Sequence, residues 1–384
     1  MRAVKTMSAT RCSPIGPDPS LTMNFEQLLK FAVDQKASDI HIQAGSPPML
    51  RIGASLRGVE GQMVDAEKLR AFLKTITPPA ISTDLDTSLA RGAEFTHTVA
   101  GLSGFRGQVY SHLGQPGVSL RVVPLALPSL DELNLPASLR EIAGGRGGIV
   151  LVAGEAGSGR STTMTALIDL INTNNVCKII TIEAPIEHVH ASKKSLVSHR
   201  AVGTDTPSFE QGLEQALRQD PDVLVLGRVP DGNTLRLMLS AAEGGRRVIA
   251  VVDGPTAVQT IQRVIDLLPP DQRKAGLNRL AACLDAVIAQ RLATTKDGRR
   301  RPAVEVLRGG PVTLRALTEG RAQDLPNFMA GRQNGMQTFD QHLTQLYQAG
   351  AISGTEAMHL ATSPEAVMTE LRTLRASAPP PSQG

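Results

Sequence analysis

The stretch that decides the fold is Gly148-Ile149-Val150-Leu151-Val152-Ala153, then Gly154-Glu155-Ala156-Gly157-Ser158-Gly159-Arg160-Ser161-Thr162, then Thr163-Met164-Thr165-Ala166-Leu167-Ile168. The first part is a continuous apolar run bounded by glycines, as in a strand buried on both faces. The last part reads as a helix. Between them stands G-x-x-x-x-G-[K]-[ST], with Arg160 in place of the lysine. Glycines there let backbone N–H groups turn inward around an anion, and the helix N-terminus adds partial positive charge. Residues 154–162 are therefore candidate phosphate-binding residues, and the Ser161 hydroxyl holds the position that meets Mg²⁺. Taken alone, the segment also fits a glycine-rich turn with no ligand.

Working outward, similar apolar runs recur at 178–182, 223–226 and 248–252, with helical text between them, such as Phe209, Leu213, Ala216 and Leu217. Apolar runs alternating with helices predict a mostly parallel α/β sheet covered on both faces, over residues 148–310. Upstream, residues 1–22 are polar and proline-broken; they read as a disordered arm, or as a mis-assigned start with Met23 the true first residue. Residues 23–123 combine helical stripes (Phe25, Leu28, Leu29, Ala32, Val33; residues 66–75) with strands near 38–42, 49–52, 107–111 and 118–123, predicting a small α+β domain. Residues 124–147 read as an interdomain connection, 311–375 as a helical region and 376–384 (ASAPPPSQG) as a disordered tail.

Composition excludes several classes. Of 384 residues 41% are apolar and 20% charged, enough for a globular core. A net charge of +4 with 3% aromatics and no Trp argues against a nucleic-acid binder. Cys12, Cys177 and Cys283 form no CxxC, which excludes a zinc ribbon or disulfide scaffold and fits a reducing compartment. No apolar run approaches the ~18 residues of a membrane span, so no transmembrane segment is expected.

Further segments narrow the reading: Ser38-Asp39-Ile40-His41, Thr181-Ile182-Glu183-Ala184-Pro185-Ile186-Glu187, Asp220-Pro221-Asp222 running to Gly227-Arg228, Ala241-Ala242-Glu243, residues 311–317 with Arg315, and Gly335-Met336-Gln337-Thr338-Phe339-Asp340. From Met23 to about Ile352 the chain resembles the secretion ATPase superfamily, specifically the PilT/PilU-like twitching-motility ATPases of type IV pili. The resemblance implies a RecA-like P-loop NTPase core, an N-terminal PAS-like α+β domain and a helical C-terminal region. It also implies ATP or ADP as ligand and a hexamer, either of this chain alone or mixed with an intact PilT-like ATPase. That hexamer would sit in the cytoplasm, peripheral at the inner membrane, against the pilus platform protein.

Against the family's pattern, several chemical positions are altered. Arg160 replaces the phosphate-loop lysine, and Ala184 the aspartate of the acidic box, while Glu183 and Glu187 persist. Arg228 replaces the Walker B glutamate. Arg246 and Asp253 replace the two histidines of the His box. Arg106 and Arg121 match arginines that reach a neighbouring subunit's nucleotide, and a third such position is Gly114. Glu183 is the surviving candidate base. Arg228 is the most damaging change, because it exchanges a metal-holding carboxylate for a cation. Two unit charges ~4 Å apart interact by about 4 kcal/mol at an effective dielectric near 20, and a divalent ion doubles that. Both lost functions pass to arginine, whose guanidinium pairs bidentately with phosphate. The expectation is a nucleotide-binding, catalytically impaired accessory of an active pilus motor. An active hexameric retraction ATPase and a non-nucleotide scaffold stay open beside it. His41, His188, His190 and His199 read as surface or core histidines, Asp220 to Asp222 as a turn, and the basic string at 296–301 as an exposed hairpin.

Overall fold

The computed structural model describes residues 24–53, 55–59, 63–99, 101–123 and 127–377, with side chains to 374. The expected arm or alternative start and residues 378–384 lie outside the described residues. The chain divides into two compact units, Met1–Ala126 with Glu187–Val189, and Leu127–Ile186 with His190–Gly384.

In the first unit the strands are β1 (Asp39–Gln43), β2 (Met49–Ile52), β3 (Ser55–Gly58), β4 (Glu94–Val99), β5 (Ser103–His112) and β6 (Gln115–Val123). They form one antiparallel sheet ordered β3-β2-β1-β6-β5-β4. Alternation sends Ile40, Ile42, Leu50, Val118 and Leu120 to one face, which is fully buried. There they meet Leu28 and Leu29 of α1 (Phe25–Asp34), Leu69 and Leu73 of α2 (Ala66–Ile76), and Leu85 and Leu89 of α4 (Leu85–Arg91), which follows the one-turn α3 (Pro79–Ser82). Asn24 closes a capping box with Gln27 and so fixes where α1 begins.

The second unit opens with α5 (Ser138–Ala143). The stretch expected as an interdomain connection is thus corrected over residues 127–147. Leu139 and Ile142, three apart on one helical face, are fully buried against Val150, Val152 and Ile168. There follow β7 (Gly148–Gly154), α6 (Arg160–Asn174), β8 (Lys178–Glu183), β9 (Leu196–Ala201), α7 (Phe209–Leu217), β10 (Val223–Leu226), α8 (Gly232–Glu243), β11 (Arg247–Asp253), α9 (Ala257–Asp266), α10 (Arg273–Cys283), β12 (Leu284–Thr294) and β13 (Arg300–Arg308). The sheet order is β13-β12-β7-β11-β10-β8-β9, parallel throughout except for the β12–β13 hairpin. Every residue of β10 and all of β11 but Asp253 are buried, which is why these strands read as unbroken apolar runs. The edge strand β9, Leu196-Val197-Ser198-His199-Arg200-Ala201, is only half-buried and carries no such signal. The fold is α/β with a RecA-like core.

Beyond Gly310 come α11 (Pro311–Thr318), α12 (Leu325–Ala330), α13 (Phe339–Gln348), α14 (Gly354–Leu360) and α15 (Pro364–Ser377). The last helix continues through Ser377, two residues into the stretch expected as a tail. Phe339, Leu343 and Leu371 join the same core as β12 and β13.

Candidate functional site

The loop between β7 and α6 is held in a shape that only glycine permits. Gly157 (φ 80°) and Gly159 (φ 88°) occupy the left-handed region. A Cβ on Gly159 would lie 2.7 Å from Gln290 Nε2, and one on Gly154 2.2 Å from Ser158 Oγ. Gln290, buried on β12, locks the loop. Its Nε2 donates to the Ser158 carbonyl at 2.6 Å, and its Oε1 accepts from the Thr163 hydroxyl at 2.7 Å. No side chain caps α6, so no side-chain oxygen competes for the first-turn N–H groups. This backbone fits a phosphate, with residues 154–162 as the cradle and the half-buried Ser161 and Thr162 on the first turn. Sequence reading missed Gln290; a lone amide 127 residues from its partner leaves no local signal.

Arg160 and Asp253 are joined to each other. The Arg160 guanidinium donates through Nη1 to Asp253 Oδ1 at 2.5 Å and to the Val252 carbonyl at 2.8 Å. Arg160 is thereby drawn to the end of β11, where Asp253 pairs in register with Gly154. Arg228 follows β10, is exposed, and makes no hydrogen bond or ion pair with another described residue. Arg160, Arg228, Asp253 and the exposed Arg263 of α9 line one cavity of about 540 Å³, floored by Val229, Val251, Val252, Val264 and Leu267. Helix α9 is seated by Glu305, whose buried carboxylate accepts the Ala257 N–H at 2.7 Å. Burial pushes the Glu305 carboxyl above the usual range, partly opposed by that hydrogen bond and by Arg291.

Glu183 ends β8 and is buried, packed beside Gly227; a Cβ on that glycine would lie 3.2 Å from Glu183 Cγ. Its Oε1 is 3.8 Å from His199 Nδ1. His199 Nε2 accepts the His190 N–H at 2.9 Å, which leaves the ring proton on Nδ1, 2.9 Å from the Thr181 hydroxyl. Ala184 is exposed beside it. Lys178 N–H donates to Asp222 at 2.8 Å, so that aspartate serves a strand end.

The residues beside the loop do not suit Mg²⁺. Ser161 supplies a hydroxyl, but the adjoining cavity is lined by Arg160, Arg228 and Arg263 against Asp253, and no group of three His, Cys, Asp or Glu able to hold a metal occurs among the described residues. Arg246 is not brought to the loop either. It precedes β11 while Asp253 ends it, and at about 3.3 Å per residue the two are roughly 20 Å apart. The neighbouring Arg247, missed in the sequence, is the buried one; it donates to Gly147 and Ile142 carbonyls and pairs with Asp285 at 2.7 Å. In the first unit Arg106 and Arg121 face each other in register across β5 and β6. Arg106 pairs with Glu94 at 3.2 Å and Arg121 with Asp39 at 3.0 Å. Gly114 lies in the turn between the same strands, and Arg315 is exposed on α11. No helix among the described residues is long and apolar enough to cross a membrane.

Comparison with known proteins places this geometry. Residues 115–367 match the family described as Type II/IV secretion system protein. The chain is 34% identical over 344 residues to the type IV pilus retraction ATPase PilT of Pseudomonas aeruginosa, covering 89% of this chain and 99% of that one. It is 33% identical over 343 residues to the type IV pilus ATPase PilU of the same organism, covering 89% of each. A crystal structure of the pilus retraction motor PilT with bound ADP superposes with a TM-score of 0.81 at 32% identity, covering 90% of this chain and 99% of the other.

Proposed function

The chain belongs to the Type II/IV secretion system protein family, among its PilT/PilU-like pilus ATPases, and on that footing we propose that it binds ATP or ADP at residues 154–162, hydrolyses ATP slowly or not at all, and serves as an accessory of an active type IV pilus retraction motor. The observation that carries this reading is Arg228. It stands unpaired and exposed, lining the cavity beyond β10 where the family needs a carboxylate beside Mg²⁺. A cation there repels the metal, and phosphoryl transfer then lacks its main charge stabiliser. Arg160 adds to the loss, because its guanidinium is committed in part to Asp253. The backbone cradle is retained, so binding survives where hydrolysis does not. By the same family membership the working form is a hexameric ring, of this chain or mixed with an intact relative, on the cytoplasmic face of the inner membrane against the platform protein.

A second reading, an active retraction ATPase, is favoured by one feature: Glu183 persists, buried and backed by His199. Phosphate release by the purified chain decides between them. The accessory reading expects turnover no faster than that of Glu183→Gln, calorimetric binding of ADP, and altered turnover of an intact PilT when the two are mixed. Fast release abolished by Glu183→Gln refutes it and establishes the motor.

A further inference from the structure

The lining of the cavity beside the phosphate loop carries more positive than negative side chains. Three arginines line it, Arg160, Arg228 and Arg263, against one carboxylate, Asp253. Arg228 and Arg263 have no hydrogen-bond or ion-pair partner among the described residues. Arg160 spends only Nη1 on Val252 and Asp253, and a guanidinium carries five N–H donors, so Nε and Nη2 stay available. The arginines reach the cavity from three different elements: the first turn of α6, the segment after β10, and α9.

The register sets how close this cavity is to the loop. Asp253 pairs with Gly154, and β10 is the next strand beyond β11. Neighbouring strands are about 4.8 Å apart, so the cavity begins one strand spacing from the cradle and extends to roughly 10 Å. Cations converging here occupy the side of the loop where a metal-holding acid belongs. Resting on the nucleotide-binding reading above, we infer that the cavity binds the terminal phosphates of a nucleoside polyphosphate by guanidinium groups in place of a divalent metal, with Arg228 and Arg263 donating to phosphate oxygens. Guanidinium meets phosphate in parallel, charge-assisted hydrogen bonds and is always protonated. It neutralises the anion but does not order its oxygens in an octahedral coordination shell as Mg²⁺ does, which fits retention without turnover.

Asp253 sets the threshold of the site. As the sole carboxylate of the lining, it holds Arg160 against β11 and offsets one of the positive charges. An arriving polyphosphate competes with it for the same guanidinium. Binding therefore weakens with salt, and it strengthens when Asp253 is neutralised.

The experiment is isothermal titration of the full chain with ATP and ADP, once in EDTA and once in excess Mg²⁺. Affinity within about threefold between the two buffers is expected, with ATP tighter than ADP. The exposed surface variant Arg263→Gln should weaken ATP binding in EDTA about tenfold, the scale of one lost charge-assisted hydrogen bond. Arg228→Glu should abolish binding in EDTA and restore a dependence on Mg²⁺. Thermal unfolding without ligand checks that both variants fold. Binding seen only with Mg²⁺, or an Arg263→Gln variant with unchanged affinity, overturns this inference and leaves the nucleotide-binding reading standing. No binding in either buffer overturns both.

Discussion

Replacing Gln290 by Leu tests whether the loop is held from β12. The side chain is 3% exposed and makes two hydrogen bonds, to the Ser158 carbonyl and from the Thr163 hydroxyl. Leucine preserves most of the volume and removes both. Thr163 is itself buried, so its hydroxyl is left without a partner, and the Ser158 carbonyl loses its donor. An unsatisfied buried group costs about 1–3 kcal/mol, so two cost roughly 2–6 kcal/mol. With a denaturant slope of about 3 kcal/mol/M, a loss of about 3 kcal/mol lowers the urea midpoint of the second unit by about 1 M. Adding Thr163→Val removes one of the two orphans. The double variant should therefore recover about 1–3 kcal/mol relative to Gln290→Leu alone, leaving the cost at Ser158. The assay is urea unfolding of the four proteins of this cycle, with ADP titration to read the loop. A Gln290→Leu protein with the wild-type midpoint and unchanged ADP affinity would refute the clamp.

Asp253→Asn should release Arg160 and raise ATP affinity in EDTA several-fold by calorimetry. Because the Asp253 side chain is 74% exposed, stability should change by less than about 1 kcal/mol. His342, buried on α13, accepts the Val304 N–H at 2.9 Å and is held down to about 4 by burial, with Arg301 adding to the effect. Unfolded, it titrates near ~6.5, so between those values the unfolded chain binds more protons. Its contribution is complete above that range and is lost as pH falls towards 4, by about 3 kcal/mol in all; His342→Gln should flatten that part of the stability–pH curve. Burial likewise lifts the Cys283 thiol to about 11, so iodoacetamide at pH 8 should label it slowly in the native protein and readily in urea, as read by peptide mass mapping.

How far the sequence could be read depended on how local each signal was. Strands β7, β8, β10 and β11 stood out because both faces of each are covered, leaving runs rich in Val, Ile, Leu and Ala, broken inside β8 only by Thr181. The edge strand β9 and short β3 and β4 lacked that coverage and gave no comparable run. Residues 127–147 looked like a connection because their prolines and glycines outweighed a two-turn apolar stripe; packing of Leu139 and Ile142 decided otherwise.

The amino-acid sequence alone determined the α/β sheet, the glycine-rich loop and the position of Arg228 straight after an apolar run, because each is written in neighbouring residues. The tertiary structure alone decided that Arg160 turns to Asp253, that Gln290 clamps the loop, that Arg263 joins the cavity, and that Arg246 does not. Those partners lie far apart along the chain, 93 residues for Arg160 and Asp253. Their meeting depends on strand order and register, which no local periodicity encodes.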